Sequence, residues 1–213
     1  MVRFEGWMAR QFGHPAGAFG GLIGLLMDWE NRQLNHLVYS QLALTGHERI
    51  LEIGFGTGRT LARIAGKIPQ GFVAGIDPSE SMVTSARRRC RRWIRAGRAE
   101  VRQGEVSVLP YGDGCFDAVL SVNTVYFWPD PERALSEIHR VLKPGGRLLL
   151  GYHPAAGLKN KGLEQYGFRL YSEGALDALL RERGFASIRH THGTGTPYGA
   201  ICTRAYRGPA QAD

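Results

Sequence analysis

Cysteine is scarce in this sequence, and the N-terminus lacks a clean apolar core. The 213 residues include three cysteines, Cys90, Cys115 and Cys202, an odd number without metal-ligand spacing. This pattern argues against a disulfide framework and against a zinc site. Residues 1–11 mix arginine and glutamate with apolar residues, unlike a secretory signal. We therefore expect a cytoplasmic protein without a bound metal.

Acidic residues are almost absent between Arg87 and Arg102. This stretch contains eight arginines and one acid, Glu100, in a chain whose formal net charge is +8. It could be an RNA-binding stripe, a contact with acidic lipid headgroups, or the solvated face of a helix. Apolar residues recur within it at helical spacing, which favours the solvated face. These residues are Ala86, Cys90, Trp93 and Ile94.

The chain also lacks the glycine that would complete a dinucleotide-binding fingerprint. That fingerprint, G-x-G-x-x-G, needs glycine at position 59, where this chain has Arg59. What is present is the run Ile-Leu-Glu-Ile-Gly-Phe-Gly-Thr-Gly at residues 50–58. Its apolar residues suit a buried strand, and its glycines make a turn that is too crowded for side chains. A nucleoside-bearing ligand can approach the backbone of such a turn closely.

A second apolar strand ends near Asp77, nineteen residues after Gly58. A carboxylate at this position can accept both hydroxyls of a ribose. Four runs of the sequence, in order and spacing, resemble the motifs of class I S-adenosylmethionine-dependent methyltransferases. The resemblance covers about residues 48–206 and is closest to the small-molecule branch that includes quinone-ring methyltransferases. The runs are ILEIGFGTG (50–58), GIDPSESM (75–82), GEVSVLPYGDGCFDAV (104–119) and LKPGGRL (142–148).

Alternating strand and helix patterns predict a doubly wound α/β fold, with a mostly parallel seven-stranded sheet and one antiparallel edge strand. The predicted strands are 49–53, 71–76, 99–103, 116–122, 147–152, 186–192 and 199–206. The predicted helices are 34–44, 58–67, 79–96, 131–141 and 172–183. Ligand should then lie at the carboxyl ends of the strands. We assign residues 46–207 to the cofactor-binding domain and 208–213 to a disordered tail.

The resemblance implies that S-adenosylmethionine is the methyl donor and S-adenosylhomocysteine the product. Glu52 would then lie near the ammonium group of the cofactor, and Asp77 would accept the ribose hydroxyls. Pro78 and Met82 can pack on the adenine, although Met82 suits the core equally well. Glu105 stands where relatives place an aspartate that accepts from the adenine amino group. The implied cofactor-binding residues are Glu52, Gly54, Phe55, Gly56, Gly58, Asp77, Pro78, Met82, Glu105, Val106 and Asn123.

Methyl transfer from a sulfonium requires that the nucleophile is positioned, that water is excluded and, for some acceptors, that a proton is removed. His153, after the fifth strand, is our candidate general base, because histidine ordinarily titrates near neutrality. A structural or exposed histidine is the alternative there, and Trp128 also suits plain packing. The candidate acceptor contacts are Gln11, His14, Tyr39, Tyr126, Trp128, Tyr166 and Arg169.

Three classes of acceptor are disfavoured because the chain lacks the residues that they require. Adenine amino methyltransferases carry an Asp/Asn-Pro-Pro-aromatic tetrad after the fourth strand, where this chain has Asn-Thr-Val-Tyr at 123–126. Methylation of pyrimidine carbon 5, or of arsenic, relies on cysteine thiols at the reactive methyl, and none of the three cysteines is predicted there. Small organic acceptors remain.

Residues 1–45 precede the cofactor-binding domain and are predicted to form an N-terminal helical lid. Within them, Ala16–Met27 carries no charge over twelve residues. This run is too short to span a bilayer, which needs roughly 20 apolar residues. We favour a lid over cofactor and substrate. Contact with a membrane surface and a dimer contact stay open.

The predicted function is transfer of a methyl group from S-adenosylmethionine to a small, hydrophobic or aromatic acceptor by in-line displacement. We expect a monomer or homodimer that acts on a small molecule. A nucleic-acid partner is disfavoured, and a membrane surface is the less favoured of the contacts left open. One alternative is an RNA or phospholipid methyltransferase that uses Arg87–Arg102. Another is a non-catalytic partner protein that binds the cofactor.

Overall fold

The fold was determined as a computed structural model, which describes residues 32–158, 163–166, 168–194 and 198–208. The helices are α1 (Arg32–Ser40), α2 (Arg59–Lys67), α3 (Glu80–Arg95), α4 (Pro131–Val141), α5 (Ala155–Leu158) and α6 (Glu173–Glu182). The strands are β1 (Arg49–Ile53), β2 (Phe72–Asp77), β3 (Ala99–Gln103), β4 (Phe116–Val122), β5 (Leu142–Tyr152), β6 (Phe185–Gly193) and β7 (Ala200–Arg207). Two short 3₁₀ helices span Val125–Phe127 and Leu163–Tyr166.

The seven strands form one sheet in the order β3-β2-β1-β4-β5-β7-β6. The first five strands in this order are parallel, and β7 runs antiparallel to both of its neighbours. This arrangement confirms the predicted doubly wound, mostly parallel sheet. The antiparallel pairings are confined to one side of the sheet, where β7 lies one position inside the edge strand β6.

Strand β5 begins earlier than predicted, at Leu142 instead of Arg147. Leu142 pairs with Phe116, and the next pairing joins Arg147 to Ala118. The intervening proline and glycine residues bulge out of the ladder, with Gly145 at a φ of +73°. The prediction was wrong here because a proline-glycine run can interrupt a strand without ending it.

Helix α1 also differs from its prediction, since it covers Arg32–Ser40 and not 34–44. Leu34 and Val38 are fully buried. They lie against Gly151 of β5, where an added Cβ would come within 2.5 Å of Val38 Cγ2. Burial of two such side chains contributes about 1.5–3 kcal/mol each. Helix α1 therefore packs on the sheet together with α2 and α3. The other predicted elements agree with the structure to within one residue.

The two faces of the sheet carry separate hydrophobic clusters. One cluster joins the sheet to α1, α2 and α3, and the other joins it to α4 and α6. Cys90 and Cys202 are buried, and burial raises their pKa values to about 11 and about 12. Within the described ranges, no group of three or more His, Cys, Asp or Glu side chains could hold a metal ion.

None of the helices described here is both long and apolar enough to cross a membrane. Of the predicted tail, Gly208 donates its N–H to the carbonyl of Gly184 at 3.3 Å. Residues 209–213 lie outside the described residues.

Glu48 closes the turn before β1. Its carboxylate accepts hydrogen bonds from the N–H and the hydroxyl of Thr45, at 2.5 and 2.7 Å, and from the N–H of Gly46 at 3.0 Å. Burial by itself would raise the pKa of this carboxyl, but the hydrogen bonds outweigh it and lower the pKa from 4.5 to about 2. The charged form of Glu48 is therefore the one that stabilises the fold.

Replacing Glu48 with glutamine is expected to lower the free energy of unfolding by about 1–3 kcal/mol near neutral pH. Because the folded-state pKa is lowered, this stabilisation is complete above pH 4.5 and is lost as the pH falls towards about 2. Urea denaturation from about pH 7 to about pH 3 should show the gap between wild type and Glu48→Gln narrowing. The exposed Glu182→Gln is the matched control. A Glu48→Gln gap that stays constant with pH would contradict this account.

Candidate functional site

The turn between β1 and α2 is built on three glycines with left-handed backbones. Their φ angles are +69° at Gly54, +54° at Gly56 and +77° at Gly58. A Cβ at Gly54 would collide with the side chain of Thr124, and one at Gly58 would lie 2.6 Å from Cβ of Ala86. At Gly56 an added Cβ would meet no atom of the described residues within 4 Å. The turn is thus packed against protein at both ends and open in the middle, where a ligand can approach.

Asp77 ends β2 and is bonded to the same turn. One carboxylate oxygen accepts the N–H of Gly56 at 2.9 Å, and the other accepts the N–H of Ser79 at 2.9 Å. The side chain is 6% exposed. Asp77 therefore joins the glycine turn to the beginning of α3. The sequence indicated that Asp77 lies near the turn, but not that it holds the turn in place.

The other residues predicted near the adenine surround the end of β2. The N–H of Gly104 donates to the carbonyl of Asp77 at 3.1 Å, which brings Glu105 and Val106 to this edge of the sheet. Glu105 is exposed and Val106 is buried. Pro78 is half-buried, and its carbonyl accepts from the side chain of Gln103 at 3.0 Å.

Met82 and Phe55 belong to the hydrophobic cluster on the α1–α3 face of the sheet. Their exposed fractions are 2% and 5%. The side chain of Met82 therefore fills core, which was one of its two predicted roles. Phe55 packs beneath the glycine turn, where a Cβ on Gly75 would lie 2.6 Å from its ring.

Glu52 is a buried acid in the middle of the sheet. It is 4% exposed and pairs with Gly75 and Leu120 on the flanking strands. After burial itself, the negative charge of Glu52 is the next cause that raises the pKa of the Cys90 thiol on α3. Glu52 lies two residues after Ile50 on β1, and Ile50 belongs to the cluster on the α1–α3 face, so the side chain of Glu52 lies on that face.

A chain of hydrogen bonds supports the glycine turn from the β4 side. The hydroxyl of Ser121 donates to the carbonyl of Ile53 at 3.1 Å and is also bonded to the hydroxyl of Thr124. The indole N–H of Trp128 donates to Thr124 Oγ1 at 3.1 Å, and Trp128 is 4% exposed. Trp128 thus holds Thr124, whose side chain lies against Gly54. This contact was not predicted.

Tyr126 ties the ends of β4 and β5 together. Its hydroxyl accepts the N–H of His153 at 2.5 Å and lies 3.3 Å from Oδ1 of Asn123. Burial raises the pKa of Tyr126, so its hydroxyl stays protonated. Asn123 itself has a positive φ of +55° and donates its N–H to the carbonyl of Gly151. Asn123, Tyr126 and His153 are therefore neighbours.

The ring of His153 is oriented by β7. Its Nδ1 is hydrogen-bonded to the carbonyl oxygen of Gly199, 46 residues away in sequence. A carbonyl can only accept, so Nδ1 carries the proton and Nε2 of the neutral ring keeps its lone pair. The ring also meets Tyr198 edge-on, with centroids 6.0 Å apart. In the sequence, Gly199 is a glycine next to a strand, and nothing else identifies it as the partner of His153.

The remaining predicted acceptor contacts divide into three groups. Arg169 is exposed, and its N–H donates to the carbonyl of Tyr126 at 3.1 Å, so it lies beside the β4 end. Tyr39 lies away from that end and stacks under Arg63 at 3.7 Å. Gln11, His14 and the side chain of Tyr166 lie outside the described residues.

The sequence matches one protein family and several individual proteins. Residues 51–150 match a family described as a methyltransferase domain. The chain is 32% identical over 133 residues to an uncharacterized methyltransferase, YdaC, of Bacillus subtilis. The aligned residues cover 62% of this chain and 71% of that protein. It is 34% identical over 147 residues to the demethylmenaquinone methyltransferase of Thermus thermophilus. This alignment covers 67% of this chain and 64% of that protein.

Solved structures agree with these matches. A S-adenosylmethionine-dependent methyltransferase of Thermotoga maritima, described as a possible histamine N-methyltransferase, superimposes with a TM-score of 0.67 at 25% identity. The alignment covers 85% of this chain and 93% of that one. Residues 51–150 include the glycine turn, Asp77 and Asn123 and end three residues before His153.

Proposed function

The chain belongs to the S-adenosylmethionine-dependent methyltransferases, and we propose that it methylates a small, hydrophobic or aromatic acceptor with His153 as general base. The observation that carries this proposal is the hydrogen bond from His153 Nδ1 to the carbonyl of Gly199. This bond leaves Nε2 as the basic nitrogen at the carboxyl end of β5, beside Asn123. The similarity to a demethylmenaquinone methyltransferase supports an aromatic acceptor.

The described residues fit the cofactor. The turn is open at Gly56, so the backbone there can pass directly under the methionine part. We propose that Asp77 accepts the ribose hydroxyls, since each carboxylate oxygen can accept more than one hydrogen bond. Glu105 and Val106 would hold the adenine, and Glu52 would act on the ammonium group from below the turn. The bound cofactor supplies an activated methyl group on its sulfonium.

The residues of the chain would contribute position and proton removal. We propose that His153 Nε2 takes the proton of an acceptor hydroxyl or amine as the new bond to the methyl carbon forms. The carbonyl of Gly199 would stabilise the resulting imidazolium through the proton on Nδ1. Tyr126 would hold the backbone of His153, because its hydroxyl accepts the N–H of that residue at 2.5 Å. No further catalytic group is required by an activated methyl donor.

An apolar acceptor is supported by aromatic side chains near this position. Phe127 and Phe168 are half-buried and meet edge-on, with ring centroids 4.5 Å apart. Phe168 also packs on Tyr126, whose hydroxyl bonds to the backbone of His153. Arg169 follows Phe168 and is the exposed cation that an acidic substituent of the acceptor would meet. We propose that these rings form one wall of the acceptor site.

The test of this function is methyl transfer from radiolabelled S-adenosylmethionine to a panel of acceptors. The panel contains hydroquinones, phenols, catechols, arylamines and thiols, with amino acids, RNA and phospholipid as the contrasting classes. We expect turnover on the aromatic hydroxyl compounds. Turnover confined to RNA or phospholipid, or tight cofactor binding without turnover on any acceptor, would contradict the proposal.

His153→Gln is expected to lower kcat by about a hundredfold, in the range that general-base catalysis provides. Glutamine offers a neutral acceptor of similar size but cannot take up a proton. We expect KM and the affinity for S-adenosylhomocysteine to change little.

The matched control for this substitution is His47→Gln, since His47 is exposed and lies before β1. It should leave both kcat and the pH profile unchanged. If His153→Gln kept wild-type kcat at every pH, His153 would be a structural residue only.

A further inference from the structure

A second concave site lies among α1, α2 and α3. It is a cavity of about 830 Å³. Its lining includes five arginines contributed by three different helices, together with one tryptophan. These residues are Arg32, Arg59, Arg63, Arg89, Arg92 and Trp93. Among the described residues, no aspartate or glutamate lines this cavity.

The cavity explains only part of the arginine-rich stretch noted in the sequence. Arg98 donates to two backbone carbonyls around the C-terminal end of α2, and Arg87 donates to a carbonyl of β3. Arg102 forms an ion pair within β3. The stretch therefore does not form one continuous stripe. Arg89 and Arg92 face the cavity instead, where α1 and α2 add three arginines that are distant in sequence.

Three guanidinium groups of the cavity are held in place by neutral partners. Nε of Arg89 donates to the carbonyl of Thr57 at 3.0 Å. Arg92 stacks on the ring of Trp93 at 3.9 Å, and Arg63 stacks on a tyrosine of α1 at 3.7 Å. No carboxylate in the part of the chain that the structure describes forms an ion pair with Arg63, Arg89 or Arg92. These three positive charges are thus positioned without an ion pair to any carboxylate of the described residues.

We propose that this cavity binds a small molecule that carries two or more phosphate groups. The planar guanidinium presents paired N–H donors that match phosphate oxygens, and several arginines around one cavity match several phosphates. A volume of about 830 Å³ suits a small ligand. The concave shape between three helices favours such a ligand over a flat nucleic-acid or membrane contact. The site is independent of the acceptor proposed above.

The cavity adjoins the glycine turn from the side of α2 and α3. The cofactor would approach the open side of the turn at Gly56, whereas Arg89 contacts the turn through the carbonyl of Thr57. A phosphate in the cavity would therefore lie against α2 and α3.

The experiment is calorimetric titration of the full chain with tripolyphosphate at low and at moderate salt. Two double variants are compared, Arg63→Gln with Arg92→Gln and Arg88→Gln with Arg91→Gln. Both remove the same charge, but Arg88 and Arg91 are exposed residues of α3 outside the cavity lining. We expect the cavity variant to lose affinity by at least about tenfold. The control variant should bind within about twofold of wild type.

Single-stranded RNA and vesicles of anionic phospholipid are titrated as separate arms. RNA or the vesicles could bind more tightly than tripolyphosphate, and both double variants could lose this binding equally. That result would assign the arginines to a macromolecular surface and overturn the proposal. Absence of tripolyphosphate binding to the folded wild type at low salt would overturn it as well. If the double cavity variant does not fold, Arg63→Gln alone makes the same comparison with Arg88→Gln.

Discussion

Replacing Asp77 with alanine is expected to weaken binding of S-adenosylmethionine by at least about a hundredfold. Two losses combine in this variant. The proposed hydrogen bonds from the ribose hydroxyls disappear, and the N–H of Gly56 loses the carboxylate that accepts it at 2.9 Å. The glycine turn then becomes free to leave the conformation that the cofactor requires. Calorimetric titration with S-adenosylmethionine and with S-adenosylhomocysteine measures the change.

Two further variants separate the charge of Asp77 from its other effects. Asp113→Ala removes a carboxylate that is 78% exposed, and it should bind the cofactor like wild type. Asp77→Asn keeps the shape and one acceptor oxygen, so its affinity should fall between wild type and Asp77→Ala. Thermal unfolding checks that each variant is folded. If folded Asp77→Ala bound the cofactor within threefold of wild type, the ribose assignment would be wrong.

Deleting residues 1–30 is expected to abolish turnover while leaving a folded protein. Residues 1–31 lie outside the described residues, and the proposal that they form a lid rests on the sequence. The deletion keeps α1, whose Leu34 and Val38 are fully buried against the sheet. The proposed cofactor residues also remain, so binding should persist. Turnover is measured with an acceptor identified by the panel, and unfolding temperature reports the fold.

A second measurement of the lid does not need an acceptor. If the segment closes over the site, its removal should speed the dissociation of S-adenosylhomocysteine, which stopped-flow experiments can follow. Deletion of residues 209–213 is the matched truncation and should change neither quantity. Full turnover by the protein without residues 1–30 would remove the lid hypothesis and leave the membrane and dimer alternatives.

Much of the fold and the centre of the cofactor site can be predicted from local sequence. Strand β1 and the glycine turn are encoded within residues 49–58, because an apolar run suits a buried strand and the glycines after it allow the positive φ angles of a tight turn. Asp77 ends the next strand, and parallel strands place their carboxyl ends together. The same reasoning brings Asn123 and His153 to one edge of the sheet. The order of the strands and helices along the chain is enough to predict where these residues lie.

Most of the contacts that were not predicted join distant parts of the chain. Gly199 reaches His153 only because β7 turns back to pair beside β5, and nothing near His153 in the sequence indicates this partner. The arginines of the cavity come together only when α1 docks beside α2 and α3. Strand β5 begins at Leu142 because that residue finds Phe116 across a bulge. In each case contacts between distant residues determine a feature that the local sequence does not specify.

The hydrogen bond between Trp128 and Thr124 gives the protein an internal optical probe. Because Thr124 lies against Gly54, a shift of the glycine turn changes the surroundings of the Trp128 indole. Trp93 lines the cavity under Arg92, so its fluorescence emission would respond to the ligand proposed for that cavity. The other two tryptophans, at positions 7 and 29, fall within the segment removed by deleting residues 1–30. That shortened protein would carry one fluorophore for each proposed site, and substitution of either indole by phenylalanine would leave a single-site fluorescence signal.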